Sequence, residues 1–371
     1  MDKTALVYTA CDELLTYGLW DAKTKTKRWI KKNVFRRSVD AEDMIFWPTG
    51  LLAAGLWQCR KELPAKAETP GYEDMRAAGR EEISERVDKA LAGYYERWMN
   101  RGCLIAYPDD LLAGEILLAV YEAYSQKETI NGIITEKNAE QYRKAIEKLA
   151  DYALSCPKDE AGSLPYRVNH NDGHIYVDSI GLICPFLYEY GNFFNKSECT
   201  ELALKQIVNF LAYGMDGSTG LPYHGYEVRT GDKYGIIGWG RAAGWLLRGM
   251  AGCMETEYGA ERLRDSYIRL IDTVLAYQRR DGYFSWQLQA LDGPKDTSAT
   301  GMICAALKRG IELSVLTDSK YVRALQSGVS AIEKSIKDGK VYDCSGECEG
   351  FGQYPQRYGA YPWALGPALM V

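Results

Sequence analysis

Apolar residues recur at helical spacing along this chain, in stripes that cannot stand alone in water. Tyr142, Ile146, Leu149 and Ala153 are spaced 4, 3 and 4. Leu204, Ile207, Val208 and Leu211 repeat the pattern, as do Leu263, Tyr267, Leu270, Ile271 and Val274. Such a stripe occupies one face of a helix, and that face needs another helix to cover it. The pattern predicts twelve helices: Thr4–Leu19, Pro48–Arg60, Glu81–Met99, Asp110–Tyr124, Glu136–Ala153, Ser179–Phe193, Glu198–Tyr213, Gly238–Cys253, Tyr258–Tyr277, Thr297–Gly310, Thr317–Ile336 and Tyr361–Val371. No stretch argues convincingly for a sheet. Thr135 and Ser197 are expected to cap two of these helices, and Asp178 or Ser179 the one that carries Ile183, Phe186 and Tyr190.

The connections alternate in character. Asp159–Val177, Gly214–Ile237, Arg279–Asp296 and Asp338–Ala360 are long and rich in Gly, Tyr, Pro and charge, whereas Gly191–Ser197 and Met254–Glu257 are short. In the second half the long ones precede alternate helices. Two helices per unit with loops gathered at one rim produce this rhythm. Six such hairpins closing on themselves make an all-α (α/α)6 barrel, so residues 1–371 are read as a single domain. Lys61–Arg80, polar and holding Pro64, Pro70 and Gly71, reads as a surface loop.

Composition narrows what such a barrel would do. The net charge is −5, and the one strong basic cluster, Lys25–Arg37, reads as a solvated surface, so nothing favours a nucleic acid partner. No apolar run reaches 18 residues, so no membrane span is expected. Tyr and Trp number 27 and 9 against 8 Phe, which favours a large polar-lined cleft over a merely greasy core. The ten cysteines sit mostly in apolar stretches and no basic-then-apolar leader precedes them, so a reducing cytoplasm is expected. The C-x3-C pair Cys344 and Cys348 lacks a second pair and reads as two free thiols. With three histidines and no phosphate-binding or nucleophile-elbow motif, neither a metal nor a cofactor is called for. The oligomeric state is left open between a monomer and a weak dimer.

The polar residues that could carry chemistry lie beside the expected helix starts. Asp178, in HIYVDSIG, has two readings: an N-cap, or a carboxyl that Ile175 and Tyr176 shield from water, a setting that favours the proton-bearing acid. One of Asp109 and Asp110 is explained as a cap of the next helix, and the other is not; two carboxylates facing one cleft suit acid/base work on sugars. His224, in TGLPYHGYEV, lies in a loop without apolar periodicity and reads as either a buried structural group or a substrate contact. Arg241 and Trp245 share a helix face behind Trp239. They read as a packed Trp with a surface Arg, or as a guanidinium fork on a carboxylate beside a ring that stacks on a sugar.

Those motifs, YVDS, GLPYHGYE and WGRAAGW in that order, resemble the unsaturated glucuronyl and rhamnogalacturonyl hydrolases of glycoside hydrolase families 88 and 105. GYFSWQL, DTSATGM and the closing GECEGFGQY…YGAYPWALGPALM extend the resemblance from about Asp43 to the last residue. Family 105 is the nearer match. The resemblance implies an (α/α)6 barrel and a small unsaturated oligosaccharide as substrate. It puts Asp178 at the general acid/base position and Asp109 at the second aspartate. His224, Trp239, Arg241 and Trp245 match substrate contacts, and Tyr176 stands where a Trp is common. Ala243 and Ser179 depart from an Asn and a Thr of the family pattern, which bears on the sugar beyond the unsaturated ring. The implied reaction is hydration of the C4=C5 enol ether. The rival readings are another (α/α)6 glycosidase or epimerase, and a toroid that binds carbohydrate without catalysis.

Overall fold

Some helices of this chain are apolar around most of their circumference and others along one face only, and that difference assigns each its layer. The structure is a computed structural model describing residues 1, 3–19, 23, 26, 44–62, 74–127, 133–167 and 173–371. The described residues hold α1 (Thr4–Thr16), α2 (Trp47–Glu62), α3 (Asp74–Asn100), α4 (Leu111–Ser125), α5 (Ala139–Ser155), α6 (Val177–Phe193), α7 (Ser197–Tyr213), α8 (Gly240–Gly252), α9 (Glu257–Leu275), α10 (Thr297–Glu312), α11 (Ser319–Lys334) and α12 (Pro362–Met370). In α6, thirteen of 17 residues are buried; in α11, four of 16 are. A helix buried on all sides belongs inside, and one buried along a stripe belongs outside.

The even-numbered helices touch in a closed ring, α2–α4–α6–α8–α10–α12 and back to α2, and the odd-numbered helices lie around it. This is the (α/α)6 barrel that the stripes and loop rhythm predict. Small residues bring the inner helices together backbone against backbone. A Cβ placed on Gly55 would lie 2.5 Å from the carbonyl oxygen of Gly366, and one on Gly249 would lie 2.5 Å from that of Ile180. No side chain fits at either contact.

Three expectations need correction. α3 starts at Asp74, not Glu81, so the end of the Lys61–Arg80 segment is helical; Met75, Arg76, Ala77 and Ala78 are good helix formers, and one Gly79 does not stop them. Among the described residues, seven strands of two residues each occur where no sheet is expected. Two-residue strands are too short to show an alternating pattern, and tertiary packing alone pairs them. The caps differ as well. α7 begins at Ser197 itself, and at α5 it is Asn138 that accepts the Thr135 N–H, at 2.6 Å. Most of Lys25–Arg37, together with His170, lies outside the described residues. All ten cysteines are unpaired, Cys344 and Cys348 included. Among the described residues no helix is long and apolar enough to cross a membrane.

Because each hairpin reverses the chain, all six inner helices run the same way. The long loops collect where they start, and the far mouth lies where they end. At the far mouth Glu122 of α4 lies beside Glu189 of α6, and their negative charges face each other. Burial, and then the charge of Glu189, push Glu122 up to about 8; Glu189 is also raised, chiefly by burial. In the unfolded chain these groups lose their protons near pH 4.5, so between there and about pH 8 the folded state binds more protons and stability falls as pH rises. Melting temperature is therefore expected to decline from about pH 5 to pH 8. Glu122→Gln, read in the same thermal melts, should flatten that decline.

Candidate active site

Tyr176 ends a short strand and Val177 opens α6, with Tyr176 in an extended conformation (φ −94°, ψ 142°) at the cap position. Asp178 therefore sits inside the first turn of the helix and does not cap it. Its Oδ2 lies 3.1 Å from Nε2 of His224. The capping reading of Asp178 thus fails, and its carboxylate is engaged with a side chain 46 residues away.

A small antiparallel sheet makes that meeting possible. β1 (Ile175–Tyr176) pairs with β2 (Gly225–Tyr226), and β2 with β3 (Lys233–Tyr234). The Val177 N–H donates to the His224 carbonyl at 2.9 Å, and the His224 N–H to the Tyr234 carbonyl at 3.1 Å. His224 is thus fastened by its backbone beside the start of α6 and is fully buried, while the Asp178 side chain stays 17% exposed. On the other side of the ring, Nδ1 of His224 lies 2.8 Å from the Tyr354 hydroxyl. The indole of Trp239 lies against the imidazole, with ring centroids 4.6 Å apart. Trp239 is buried, and its Nε1 has no hydrogen-bond partner among the described residues.

The two adjacent aspartates separate in role. Pro108–Asp110 form a 3₁₀ turn ahead of α4. Oδ2 of Asp110 accepts the N–H groups of Ala106 at 2.7 Å and Tyr107 at 3.4 Å, closing that turn. Oδ2 of Asp109 instead accepts the Tyr166 hydroxyl at 2.9 Å. Burial, and then the charges of Asp109 and Asp178, hold Tyr166 well above its ordinary value. Both carboxylates thus act on one phenol, which brings the two sequence-expected acids to one place. The Tyr166 ring lies 5.0 Å from that of Tyr176.

Tyr176 forms part of an aromatic wall that sequence reasoning sees only in part. Phe351 stacks on Tyr176 at 4.0 Å and on Tyr234 at 5.0 Å. Phe351 and Tyr354 come from the loop between β4 (Cys344–Ser345) and β5 (Tyr358–Gly359), which pair antiparallel. Two glycines admit this loop. A Cβ on Gly225 would lie 2.5 Å from the Phe351 ring, and one on Gly235, at φ +80°, 2.5 Å from the Tyr354 oxygen. Tyr166, Phe351 and Tyr354 are the site residues that motif reading missed. For Phe351 and Tyr354 the available signal was the Gly- and aromatic-rich run GECEGFGQY.

Arg241 and Trp245 stand differently from the fork and stacking platform anticipated for them. Nη1 of Arg241 donates to the Ser298 hydroxyl (3.2 Å), the Ser345 carbonyl (3.0 Å) and the Ser345 hydroxyl (2.6 Å), and Nη2 donates to the Gly346 carbonyl (2.8 Å). Asp296 accepts from the same serines: Oδ1 from the Ser298 and Ser345 N–H groups, Oδ2 from the Ser345 hydroxyl. The guanidinium is buried, lies over the Trp239 ring at 4.8 Å, and fastens the root of the loop that bears Phe351 and Tyr354. Trp245 is buried against Trp47 of α2, ring centroids 6.0 Å apart. Among the described residues no group of three or more His, Cys, Asp or Glu is placed to hold a metal ion.

If Arg241 serves the loop, Arg241→Lys keeps the charge but loses most of the fork. A stability loss of about 1–3 kcal/mol is expected, read by urea unfolding. Hydrogen exchange should quicken at residues 346–357. Unchanged exchange with a raised KM alone would assign the guanidinium to the substrate.

Comparison with known proteins bears on the family and the fold. The model of Glycosyl Hydrolase Family 88 matches residues 76–371. Protein Atu3128 of Agrobacterium fabrum is 30% identical over 161 residues, covering 40% of this chain and 69% of that protein. The unsaturated rhamnogalacturonyl hydrolase YesR of Bacillus subtilis is 24% identical over 244 residues, covering 62% of this chain and 69% of its own. Among solved structures, a possible member of the GH105 family from Klebsiella pneumoniae superposes with a TM-score of 0.75 at 16% identity, covering 100% of this chain and 91% of that one. With a barrel closed by six inner helices, an acid freed from capping duty and a family model matched over most of its length, the chain belongs to glycosyl hydrolase family 88.

Proposed function

We propose that the protein removes a 4,5-unsaturated uronyl residue from the end of a short oligosaccharide, by hydrating the double bond. The observation that carries this reading is Asp178: a carboxyl in the first turn of α6, partly exposed, hydrogen-bonded to His224 Nε2 and not to its own helix. The similarity to YesR supports a rhamnogalacturonyl type of substrate.

The chemistry follows from the substrate class. An unsaturated uronyl ring is an enol ether, so a proton added at C4 leaves a cation at C5 that the ring oxygen stabilises. Asp178 as the acid gives that proton, and as the base it takes one from the water that attacks C5. The C5 hemiketal then opens by passing its hydroxyl proton to the ring oxygen. The resulting C1 hemiacetal collapses to an aldehyde and releases the next sugar. One water is consumed and the carboxyl ends as it began. Tyr176 lies edge-on to the imidazole that meets Asp178, in the aromatic wall with Phe351, and Trp239 packs behind that imidazole and keeps water from it. Asp109, through Tyr166, is the second acid at the mouth. C4 is trigonal in this substrate, so the configuration that distinguishes galacturonyl from glucuronyl units at C4 is lost, and selection falls to the leaving sugar. The ten unpaired cysteines support a reducing, cytoplasmic setting.

Lyase-generated rhamnogalacturonan disaccharide is expected to lose the ultraviolet absorbance of its C4=C5 chromophore on incubation with the protein. Absorbance retained with both galacturonyl- and glucuronyl-derived substrates would remove this function. Asp178→Asn should lower turnover by about 10²–10⁴ with KM largely kept and the melting temperature little changed, because the side chain caps nothing. If Asp109→Asn gives the larger loss, the two aspartates exchange roles.

A further inference from the structure

His224 has two ring nitrogens, each with one partner, and the partners are not equivalent. Nε2 faces the carboxylate oxygen Oδ2 of Asp178 at 3.1 Å, and Nδ1 faces the Tyr354 hydroxyl at 2.8 Å. A neutral imidazole carries one proton, so the direction of one bond sets the direction of the other. The tyrosine oxygen also receives the Ile236 N–H, at 3.5 Å. With that lone pair engaged, the phenol has its own proton to give, and Nδ1 is the acceptor beside it. Burial holds the Tyr354 phenol above its ordinary value, so the proton stays on the tyrosine.

We propose that Tyr354 is a positioning residue that selects the tautomer of His224 and thereby the oxygen of Asp178 that carries the catalytic proton. When Tyr354 donates to Nδ1, the imidazole proton sits on Nε2 and points at Oδ2. An oxygen that accepts from Nε2 cannot hold its own proton toward that nitrogen. The acid proton of Asp178 then resides on Oδ1, which has no protein hydrogen bond among the described residues and belongs to a side chain that is still 17% exposed. In the opposite tautomer the proton would lie on Oδ2, donated to a bare Nε2 and withheld from any ligand. The loop that delivers Tyr354 is fastened at its root by Arg241 and Asp296, and its tip is seated by the Phe351 stack, so the hydroxyl is held in place from two ends.

This inference rests on the proposed role of Asp178, but its test does not need turnover. The sequence holds three histidines, His170, His174 and His224, so ¹⁵N labelling of histidine in the full chain yields three imidazole spin systems. The one that disappears in His224→Gln is the one of interest. At neutral pH it is expected to show a protonated Nε2 and a bare Nδ1. In Tyr354→Phe the same ring should lose that single tautomer, and kcat should fall about 5–150-fold, the loss expected when a buried acceptor is left unsatisfied, with KM within about threefold. A parent ring protonated at Nδ1 overturns the proposal, and this outcome can be read even if the variant does not fold. A folded variant that keeps both the tautomer and kcat overturns it too. Loss of the tautomer in the variant supports it whether or not the parent acts on unsaturated disaccharide; absent turnover in the parent counts against the functional reading alone.

Discussion

A helix that is apolar on every side is stable only between others, and six of them are satisfied together only if the row closes. That constraint organises the molecule. In the closed ring of α2, α4, α6, α8, α10 and α12 each inner helix packs on two others, and this requires near contact of backbones at points such as Gly55 against Gly366. Because an outer helix returns the chain between successive inner ones, all the inner helices start at one mouth. The residues that begin α4, α6, α8 and α10 are then neighbours across a single opening, although they lie some tens of residues apart in the chain.

Carboxylates are over-supplied at that opening. Asp110, Asp178 and Asp296 all lie at or near inner-helix starts, where the partial positive charge of the helix favours an anion. What separates them is which hydrogen bonds they already make. Asp110 closes its own turn, and Asp296 receives two serines. Asp178 bonds to His224 and Asp109 to Tyr166, groups that can themselves exchange or reorient a proton. Asp110 is thus held within its own turn and Asp296 by serines, and the other two meet side chains 46 and 57 positions away.

The last 30 residues do two jobs. α12 closes the barrel, and the loop before it reaches back to the β1–β2–β3 sheet with Phe351 and Tyr354. Burying a guanidinium and a carboxylate under that loop carries a desolvation cost, offset by the dense hydrogen bonding of Ser298, Ser345 and Gly346. Such a network favours one loop geometry, and a proton donor aimed at a histidine needs just one.

The barrel was legible in the sequence because its two signals are local. Apolar stripes with helical spacing report on a single element, and loop length reports on the hairpin rhythm. The places of Asp178, Asp109 and His224 were legible as motifs at helix starts, and Tyr176 and Trp239 with them. The partners were not. That Asp178 leaves its cap for His224, that Asp109 meets Tyr166, and that Arg241 fastens a loop depend on contacts between segments 46 to 105 positions apart. No periodicity encodes such distances. A two-residue strand carries no detectable alternation, and an aromatic in a glycine-rich loop has no assigned face until the loop lands. Side-chain chemistry and helix boundaries are written along the chain. Which side chain each carboxyl meets was decided only when the ring closed and brought the ends of its loops together.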